Sequence, residues 1–532
     1  GEMAALGGLG PFGSYVYIDQ KQSDRHITYM GQGGLGLPDR DYYFREGDEF
    51  EEIRTAYETY IARLLELADH PEPAAAARAI VELETALAEK HWTRTENRDR
   101  NATYNRMTVA EADELMGTID LRAYLGAASL GEAEEVVVRQ PSYFEALDAI
   151  AASTPMETWK AYMTFHLLDA VAPMASSPFV EAHFDFRSRT LSGIDEPRPR
   201  WKRGVDVVGG SLRDVLGRLY VERHFAPAAK ARMDELVSNL LAAFDAGIDE
   251  LAWMGPATQA EAKDKLAKFT PKIGYPDVWE DYSALEIRDG DLVDNLRRVR
   301  AFQYEDNVSK LGEPIDPHEW GMPPYMVNAY YNPTRNEIVF PAAILQPPFF
   351  DLEADDAVNY GAIGAVIGHE ISHGFDDQGR KSDGDGNLRD WWTPEDAEAF
   401  EARADMLVEQ YAAYEPLEGL ALNGRLTLGE NIGDLSGLAV AYQAYQLSLN
   451  GEEAPVIDGY TGDQRFFMGW AQVWRRLYRE AELRNRILTD PHSPSEYRTN
   501  GIVAHMPAFY EAFDVQPGDG MWIPPEQRVQ IW

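Results

Sequence analysis

The chain contains the stretch Asn359-Tyr-Gly-Ala-Ile-Gly-Ala-Val-Ile-Gly-His-Glu-Ile-Ser-His373, and the rest of the sequence is interpreted around it. Its apolar part, which ends at Gly368, predicts a buried helix. Residues four apart lie on one face of a helix, so the imidazoles of His369 and His373 can reach a single ion. Glu370 is rotated off that face and can reach a water beside the ion without being a ligand.

Two histidines at this spacing are typical of a catalytic zinc site, which has three protein ligands and one open position for water. In such a site Glu370 would take the proton from the attacking water as a general base. The motif alone leaves another interpretation open, in which two ordinary helix histidines flank a surface glutamate.

A third ligand is offered by Thr427-Leu-Gly-Glu-Asn-Ile-Gly-Asp434, where Glu430 and Asp434 share one helix face. One carboxylate can bind zinc while the other accepts the free N–H of a ligand histidine. The pattern Thr427-x-x-Glu430 is also a capping box, in which Glu430 only closes the first helical turn. Because of the histidines upstream, we favour Glu430 as the ligand and Asp434 as its supporting carboxylate.

Longer motifs extend this pattern along nearly the whole chain. They are Gly33-Gly-Leu-Gly-Leu-Pro-Asp-Arg-Asp-Tyr-Tyr43, Gly217-Arg-Leu-Tyr-Val-Glu222, Asn328-Ala-Tyr-Tyr331, Arg335-Asn-Glu-Ile-Val-Phe-Pro341, Ile344-Leu-Gln-Pro-Pro-Phe-Phe350, Val366-Ile-Gly-His-Glu-Ile-Ser-His-Gly-Phe-Asp-Asp377, Gly429-Glu-Asn-Ile-Gly-Asp434, His492-Ser-Pro494, Arg498 and Trp532. In these motifs the chain resembles the neprilysin-like zinc endopeptidases, which include neprilysin, endothelin-converting enzymes and bacterial oligopeptidases.

The resemblance implies a site with one zinc ion. It implies His369, His373 and Glu430 as the zinc ligands and Glu370 as the general base. It also implies that Asp434 orients a ligand histidine, which we expect to be His369.

The same resemblance implies residues that bind the substrate. His492 would stabilise the oxyanion, Arg498 would hold a substrate carbonyl, and Asn328 with Ala329 would bind the peptide main chain. The run Glu337-Ile-Val-Phe340 supports the last assignment, because a peptide can add as an extra strand along such an edge.

An apolar pocket for the residue after the scissile bond is also implied by the resemblance. Its lining would be Ile344, Phe349, Val366, Val473 and Trp474. Plain core packing is the alternative for these side chains. Asp376 and Asp377 come just after the zinc motif. They could support the metal site or be ordinary loop acids, and the sequence leaves both interpretations open.

One apparent calcium loop fails on its spacing. Asp383, Asp385 and Asn387 alternate like calcium ligands, but Leu388 and Pro394 stand where such a loop needs Gly and Glu. We expect a turn of solvated acids here.

The fold is predicted to be mainly α with a small β component. Helical patterns cover residues 49–67, 72–90, 228–251 and 396–411, and strand-like runs cover 14–18, 136–138 and the region of Ile338. The resemblance implies a two-lobed gluzincin, with a thermolysin-like catalytic lobe and a helical lobe that enclose a central cavity. Residues 1–92 would form the first part of the catalytic lobe, 93–292 the helical lobe, and 293–532 the zinc-binding catalytic lobe.

Composition limits the function classes. At 532 residues and 45% hydrophobic, the chain can bury one or two large cores. A net charge of −40 argues against nucleic acid, because phosphate is bound by clustered Lys and Arg. The chain has no cysteine and no apolar run of about 18 residues, so neither a disulfide nor a transmembrane helix is expected. Animal relatives are disulfide-bonded outside the cell, so a bacterial type is expected.

The expected activity is endopeptidase cleavage of short oligopeptides on the amino side of hydrophobic residues. The second possibility is a zinc-stabilised peptide-binding protein or inactive fragment, and a zinc exopeptidase is the third. The second stays open because the chain begins late compared with the family, so the cleft can be incomplete. Any leader or anchor would lie in that preceding segment, so the compartment and the oligomeric state stay open.

Overall fold

The computed structural model describes residues 10–532. The strands are β1 (Phe12–Asp19), β2 (Gln22–Gln32), β3 (Arg106–Thr108), β4 (Glu135–Val138), β5 (Thr270–Gly274), β6 (Tyr330–Asn332) and β7 (Glu337–Pro341). The α-helices span Asp48–Leu67, Pro73–Lys90, Arg94–Arg98, Val109–Leu115, Leu121–Ala127, Pro141–Ser153, Met156–Val171, Ser177–His183, Arg200–Ser211, Arg213–His224, Pro227–Glu250, Pro256–Ala267, Leu292–Ser309, Asp356–Asn359, Ala365–Ser372, Pro394–Ala412, Leu428–Ser448, Gly462–Val473, Glu480–Thr489, Ser495–Val503 and Pro507–Phe513. Wider π-helical turns span Phe184–Thr190 and Tyr360–Gly364.

The helices predicted from apolar spacing are present, with ends shifted by one or two residues at most. The helix Asp48–Leu67 shows why the pattern works, since its buried side chains recur three or four residues apart and its acids face water. The mainly α prediction is confirmed.

Two large hydrophobic cores organise the described residues. The N-terminal core draws its buried side chains from between Phe12 and Leu191, and the C-terminal core draws its own from between Phe225 and Trp532. The predicted lobe boundaries at 92/93 and 292/293 stay a prediction, because a division between cores does not by itself define rigid lobes.

A small sheet lies beside the C-terminal core. Its strand order is β5-β7-β6, with β5 parallel and β6 antiparallel to the central strand β7. In the described part of the chain, β6 therefore has one edge with no strand partner. Strand β6 begins directly after Asn328 and Ala329.

Two helices of the C-terminal core cross at glycines. The HExxH helix (Ala365–Ser372) carries Gly368, and a Cβ there would lie 2.5 Å from the carbonyl oxygen of Gly437 in the helix Leu428–Ser448. We call the second helix the carboxylate helix. The close crossing brings Glu430 and Asp434 of the carboxylate helix up to the histidines of the HExxH helix.

A membrane-spanning helix was not expected from the sequence. Over residues 10–532, none of the helices combines the length and the apolar character needed to cross a bilayer.

Candidate metal centre and peptide cleft

Three side chains from the crossing helices converge on one point. The Oε2 atom of Glu430 lies 3.2 Å from Nε2 of His369 and 3.5 Å from Nε2 of His373. A tetrahedral zinc ion with bonds of about 2.1 Å separates its ligand atoms by about 3.4 Å. Among the described residues, this trio forms the group that could hold a metal ion.

Glu430 supplies a further test of fit. Its Oε2 is buried and has no hydrogen-bond partner, although a buried carboxylate oxygen is normally bonded. Thr427 makes no side-chain cap bond and instead donates its hydroxyl to the carbonyl of Asn423, so the capping-box alternative is not present. An oxygen left unbonded among imidazole nitrogens fits a metal ligand.

Each histidine of the trio has a carboxylate on its other ring nitrogen. Nδ1 of His369 lies 2.8 Å from Asp434, and Nδ1 of His373 lies 2.8 Å from Asp376. The N–H donated to the carboxylate leaves Nε2 of each ring free to bind a metal. The contact of Asp376 answers the question that the sequence left open. Asp377 instead pairs with Arg98 at 2.9 Å.

Arg498 is buried and contacts Asp434. Its Nε and one terminal nitrogen donate to the Asp434 carboxylate at 2.7 and 2.6 Å, and its guanidinium stacks on Trp474 at 3.9 Å. Burial alone would raise the pKa of the Asp434 carboxyl, but Arg498 and His369 outweigh it and hold that pKa below its usual value. Asp434 therefore stays an anion and a good acceptor for His369.

His492 reaches the same centre from a turn. Its Nε2 lies 3.1 Å from Oε2 of Glu430, and its Nδ1 lies 2.7 Å from Asp490. Burial opposes ionisation of Glu430, but His492 and His373 hold the pKa of its carboxyl well below the usual range. Glu430 is therefore held in the carboxylate form, in which it could bind a metal ion.

Glu370 stands beside the ligand trio and is only 6% exposed. Burial raises the pKa of its carboxyl, while the imidazoles of His369 and His373 oppose that rise. A carboxylate whose pKa is raised toward neutrality is suited to exchange a proton with water.

One cavity of about 860 Å³ holds all of these groups, a size typical of ligand pockets. The five residues predicted for the apolar pocket all line it: Ile344, Phe349, Val366, Val473 and Trp474. The lining also includes residues that the sequence did not single out, among them Arg98, Arg100, Trp470, Arg476 and Arg486. These come from segments far apart in sequence, and no local spacing points to them.

Asn328 and Ala329 line the same cavity at the entrance to β6. Tyr330 and Tyr331 of β6 line the cavity as well. A peptide laid there could bond to the strand main chain.

The calcium-like turn is saturated by the protein itself. Asp383 accepts from the main-chain N–H groups of Asp385 and Asn387 and pairs with Arg389, and the Asn387 side chain accepts from Ser23. Its oxygens are used to join this turn to the hairpin of β1 and β2.

Family models and individual relatives place this chain in the same protein family. Models described as peptidase family M13 match residues 1–276 and residues 328–529. Human endothelin-converting enzyme 1 is 35% identical over 543 residues, which cover 98% of this chain and 69% of that protein. Human neprilysin is 34% identical over 559 residues, which cover 97% of this chain and 73% of that protein.

A solved structure gives the same result for the fold. The zinc metalloprotease Zmp1 of Mycobacterium tuberculosis, in complex with an inhibitor, is 48% identical to this chain. The TM-score is 0.96, and the match covers 100% of this chain and 82% of that one. The predicted two-lobed, neprilysin-like fold is confirmed by this similarity.

Proposed function

The chain belongs to peptidase family M13 and is a zinc metalloendopeptidase, and we propose that it cleaves short oligopeptides on the amino side of hydrophobic residues. The observation that carries the proposal is the shared cavity. One chamber contains the ligand trio, Glu370, an apolar pocket and the free edge of β6.

The metal is proposed to be one zinc ion held by His369, His373 and Glu430. When bound, zinc supplies Lewis acidity toward the scissile carbonyl and the attacking water. The ligand set of two imidazoles and one carboxylate matches that of known catalytic zinc sites and leaves a fourth position open.

Glu370 is proposed as the general base. Its carboxylate takes a proton from the attacking water and later delivers that proton to the leaving amine. Burial raises the pKa of Glu370, which favours the uptake of the proton from water.

The substrate is proposed to lie along β6. Asn328 and Ala329 would bond to its main chain, so that the peptide extends the sheet by one strand. The side chain after the scissile bond would then enter the pocket beside Val366 and Trp474, where apolar groups are favoured by burial.

Two cations are proposed to stabilise the reacting carbonyl. His492 would donate from Nε2 to the developing oxyanion, because it already lies against the ligand trio. Arg498 would donate to a substrate carbonyl from its second terminal nitrogen, since its other donors are bound to Asp434.

The test uses zinc-loaded protein and peptides of graded length that are blocked at both ends, with products mapped by mass spectrometry. We expect internal cuts before Leu or Phe and few cuts before Asp or Lys. Glu370→Gln should retain zinc and lose at least about 100-fold in turnover, which is the smallest contribution usual for a general base.

The control is Glu353→Gln, the same change at an exposed glutamate, and it should leave turnover unchanged. Cleavage confined to peptides with a free end would favour the exopeptidase. Blocked peptides that bind zinc-loaded protein but stay uncut would favour the peptide-binding protein with an incomplete cleft.

A further inference from the structure

Lys265 is a buried cation that the proposed chemistry does not use. It lies in the helix Pro256–Ala267 and is 1% exposed. Its ammonium donates to three main-chain carbonyls, those of Gly374 at 2.6 Å, Gly379 at 2.8 Å and Ser382 at 2.8 Å. Among the described residues, no carboxylate forms an ion pair with it.

The three carbonyls belong to one loop, residues 374–382, which directly follows the zinc-binding motif. We call it the metal-side loop. A Cβ at Gly379 would collide with the carbonyl oxygen of His373, so the loop folds back tightly against the end of the HExxH helix. Its carbonyls therefore point inward to Lys265.

The N–H groups of the same loop hold Asp376. Its Oδ1 accepts from the main-chain N–H groups of Gln378 at 2.8 Å and Gly379 at 2.6 Å, while its Oδ2 lies 2.8 Å from Nδ1 of His373. Lys265 therefore binds carbonyl groups of the same loop whose N–H groups bind Asp376. The shape of that loop determines where the carboxylate meets His373.

The main chain of Lys265 reaches the sheet as well. Its carbonyl accepts from the side chain of Asn336 at 2.9 Å, and Asn336 also donates to Gly384 at 3.2 Å. Asn336 directly precedes β7, the strand that pairs with β6. The same lysine thus joins the metal-side loop to the sheet at the cleft.

The ammonium of Lys265 gives one N–H to each of the three carbonyls. The Gly379 carbonyl also accepts from the main-chain N–H of Ser382, and the Ser382 carbonyl also accepts from the indole N–H of Trp391, so the Gly374 carbonyl depends most on Lys265.

Burial, together with the nearby Arg100, lowers the pKa of Lys265 to about 7, and the carboxylates of Asp376 and Asp383 oppose this fall. The rings of Phe375 and Tyr331 lie 5.4 and 5.7 Å from the ammonium.

We propose that Lys265 is a positioning residue for the metal centre, which holds the metal-side loop in the shape that keeps Asp376 on His373. The inference rests on the proposed zinc site. It predicts that Lys265 acts on zinc affinity although it touches neither the ion nor any ligand side chain.

The test is the dissociation constant for zinc, measured by competition with a chromophoric chelator in the absence of peptide. Lys265→Met removes the charge and all three donors, and we expect affinity to fall by about 10- to 100-fold, as for lost partners of metal ligands. Lys268→Met is the matched control, because Lys268 directly follows the same helix but pairs with the surface acids Asp264 and Asp385. Its affinity should match that of the wild type.

A double-mutant cycle with Asp376→Asn distinguishes positioning from general destabilisation. If Lys265 acts through Asp376, the double variant should bind zinc about as weakly as the weaker single variant. Fully additive losses, or unchanged zinc affinity with only a lower melting temperature, would overturn the proposal.

A second variant covers the case in which Lys265→Met is unstable. If Lys265→Met does not fold, Lys265→Gln replaces it, since a glutamine keeps two N–H donors without a charge. Unchanged zinc affinity in that folded variant would also overturn the proposal. Because no peptide is used, a failure of the proposed peptide preference would leave this result unaffected.

Discussion

Each of the two cores has a glutamate beside histidine, buried at Glu84 and partly buried at Glu430. The two sites differ in what the glutamate oxygens bind. In the N-terminal core, Glu84 is 0% exposed and its Oε1 lies 2.9 Å from Nε2 of His166. Its Oε2 accepts from the hydroxyls of Tyr43 and Tyr57 at 2.5 and 2.8 Å. In the C-terminal core, Oε2 of Glu430 makes no hydrogen bond of good geometry, although imidazole nitrogens of His369, His373 and His492 lie 3.1–3.5 Å from it.

The difference shows how the environment of a candidate metal-binding carboxylate differs from that of a hydrogen-bonded buried one. Contact between histidine and a buried carboxylate is not sufficient, because Glu84 has that contact and is fully satisfied by protein donors. The distinguishing feature is a set of lone pairs that converge and stay unpaired. Such an arrangement would be unfavourable unless an ion occupied the point where they meet.

The largest expected effect comes from making the same change at both glutamates. Glu430→Gln removes the only anionic ligand of the trio, so zinc affinity should fall by more than the roughly 100-fold expected for lost outer partners. Peptide cleavage should disappear with it. Equilibrium dialysis followed by metal analysis measures the first effect, and blocked peptides measure the second.

Glu84→Gln is the matched change in the other core. It should leave zinc affinity unchanged and lower the free energy of unfolding by about 1–3 kcal/mol for each tyrosine hydroxyl left without an acceptor. Urea unfolding of the metal-free protein measures this loss. If Glu84→Gln weakened zinc binding, or if Glu430→Gln kept it, the comparison between the two sites would be wrong.

A smaller effect should distinguish the histidines that we propose as zinc ligands from His492, which we do not propose as a ligand. Asp434 and Asp490 each hold Nδ1 of a histidine, at 2.8 and 2.7 Å, but only His369 belongs to the ligand trio. Asp434→Asn should weaken zinc binding by about 10- to 100-fold. Asp490→Asn should leave zinc affinity unchanged and lower turnover, because His492 would lose its orientation.

The measurement is again zinc competition, run beside turnover at saturating zinc. Equal losses of affinity in the two variants would make His492 a ligand and would revise the trio. Unchanged affinity in Asp434→Asn would show that His369 needs no carboxylate partner.

Local spacing predicted the parts of the site that lie within one helix or at its end. His369, His373 and Glu370 follow from the period of a helix, and Glu430 with Asp434 follows from the same rule. The spacing could not decide between a ligand and a cap for Glu430. That decision depends on a crossing at Gly368 and Gly437, which no local pattern encodes.

The burial of Lys265 and Glu84 could not be predicted from the sequence. Lys265 and Glu84 stand on helices whose polar residues mostly face water, so both would be assigned to the surface. Their partners lie far away along the chain, as with Lys265 and the carbonyl of Gly374. Helix bounds were predictable because apolar periodicity is local, whereas these contacts form only in the complete fold.

The smallest expected effect tests burial of uncharged histidine in both cores. Burial lowers the pKa of His91 and of His505 to about 4. Nδ1 of His505 accepts from the N–H of Val529, so this nitrogen must stay unprotonated in the folded state.

Between pH 6.5 and 5.5 the unfolded chain takes up a proton at each of these two histidines, whereas the folded chain does not. The free energy of unfolding should therefore fall by about 1 kcal/mol per histidine as the pH drops through this range. Urea unfolding at the two pH values measures the slope in the wild type, His91→Gln and His505→Gln. Each variant should lose its own share of the pH dependence, and an unchanged slope in either would mean that the histidine is already charged where it is buried. Equal contributions of His91 and His505 to the pH dependence would show that both regions hold an uncharged histidine. The oxygen without a hydrogen bond would still distinguish Glu430 from Glu84.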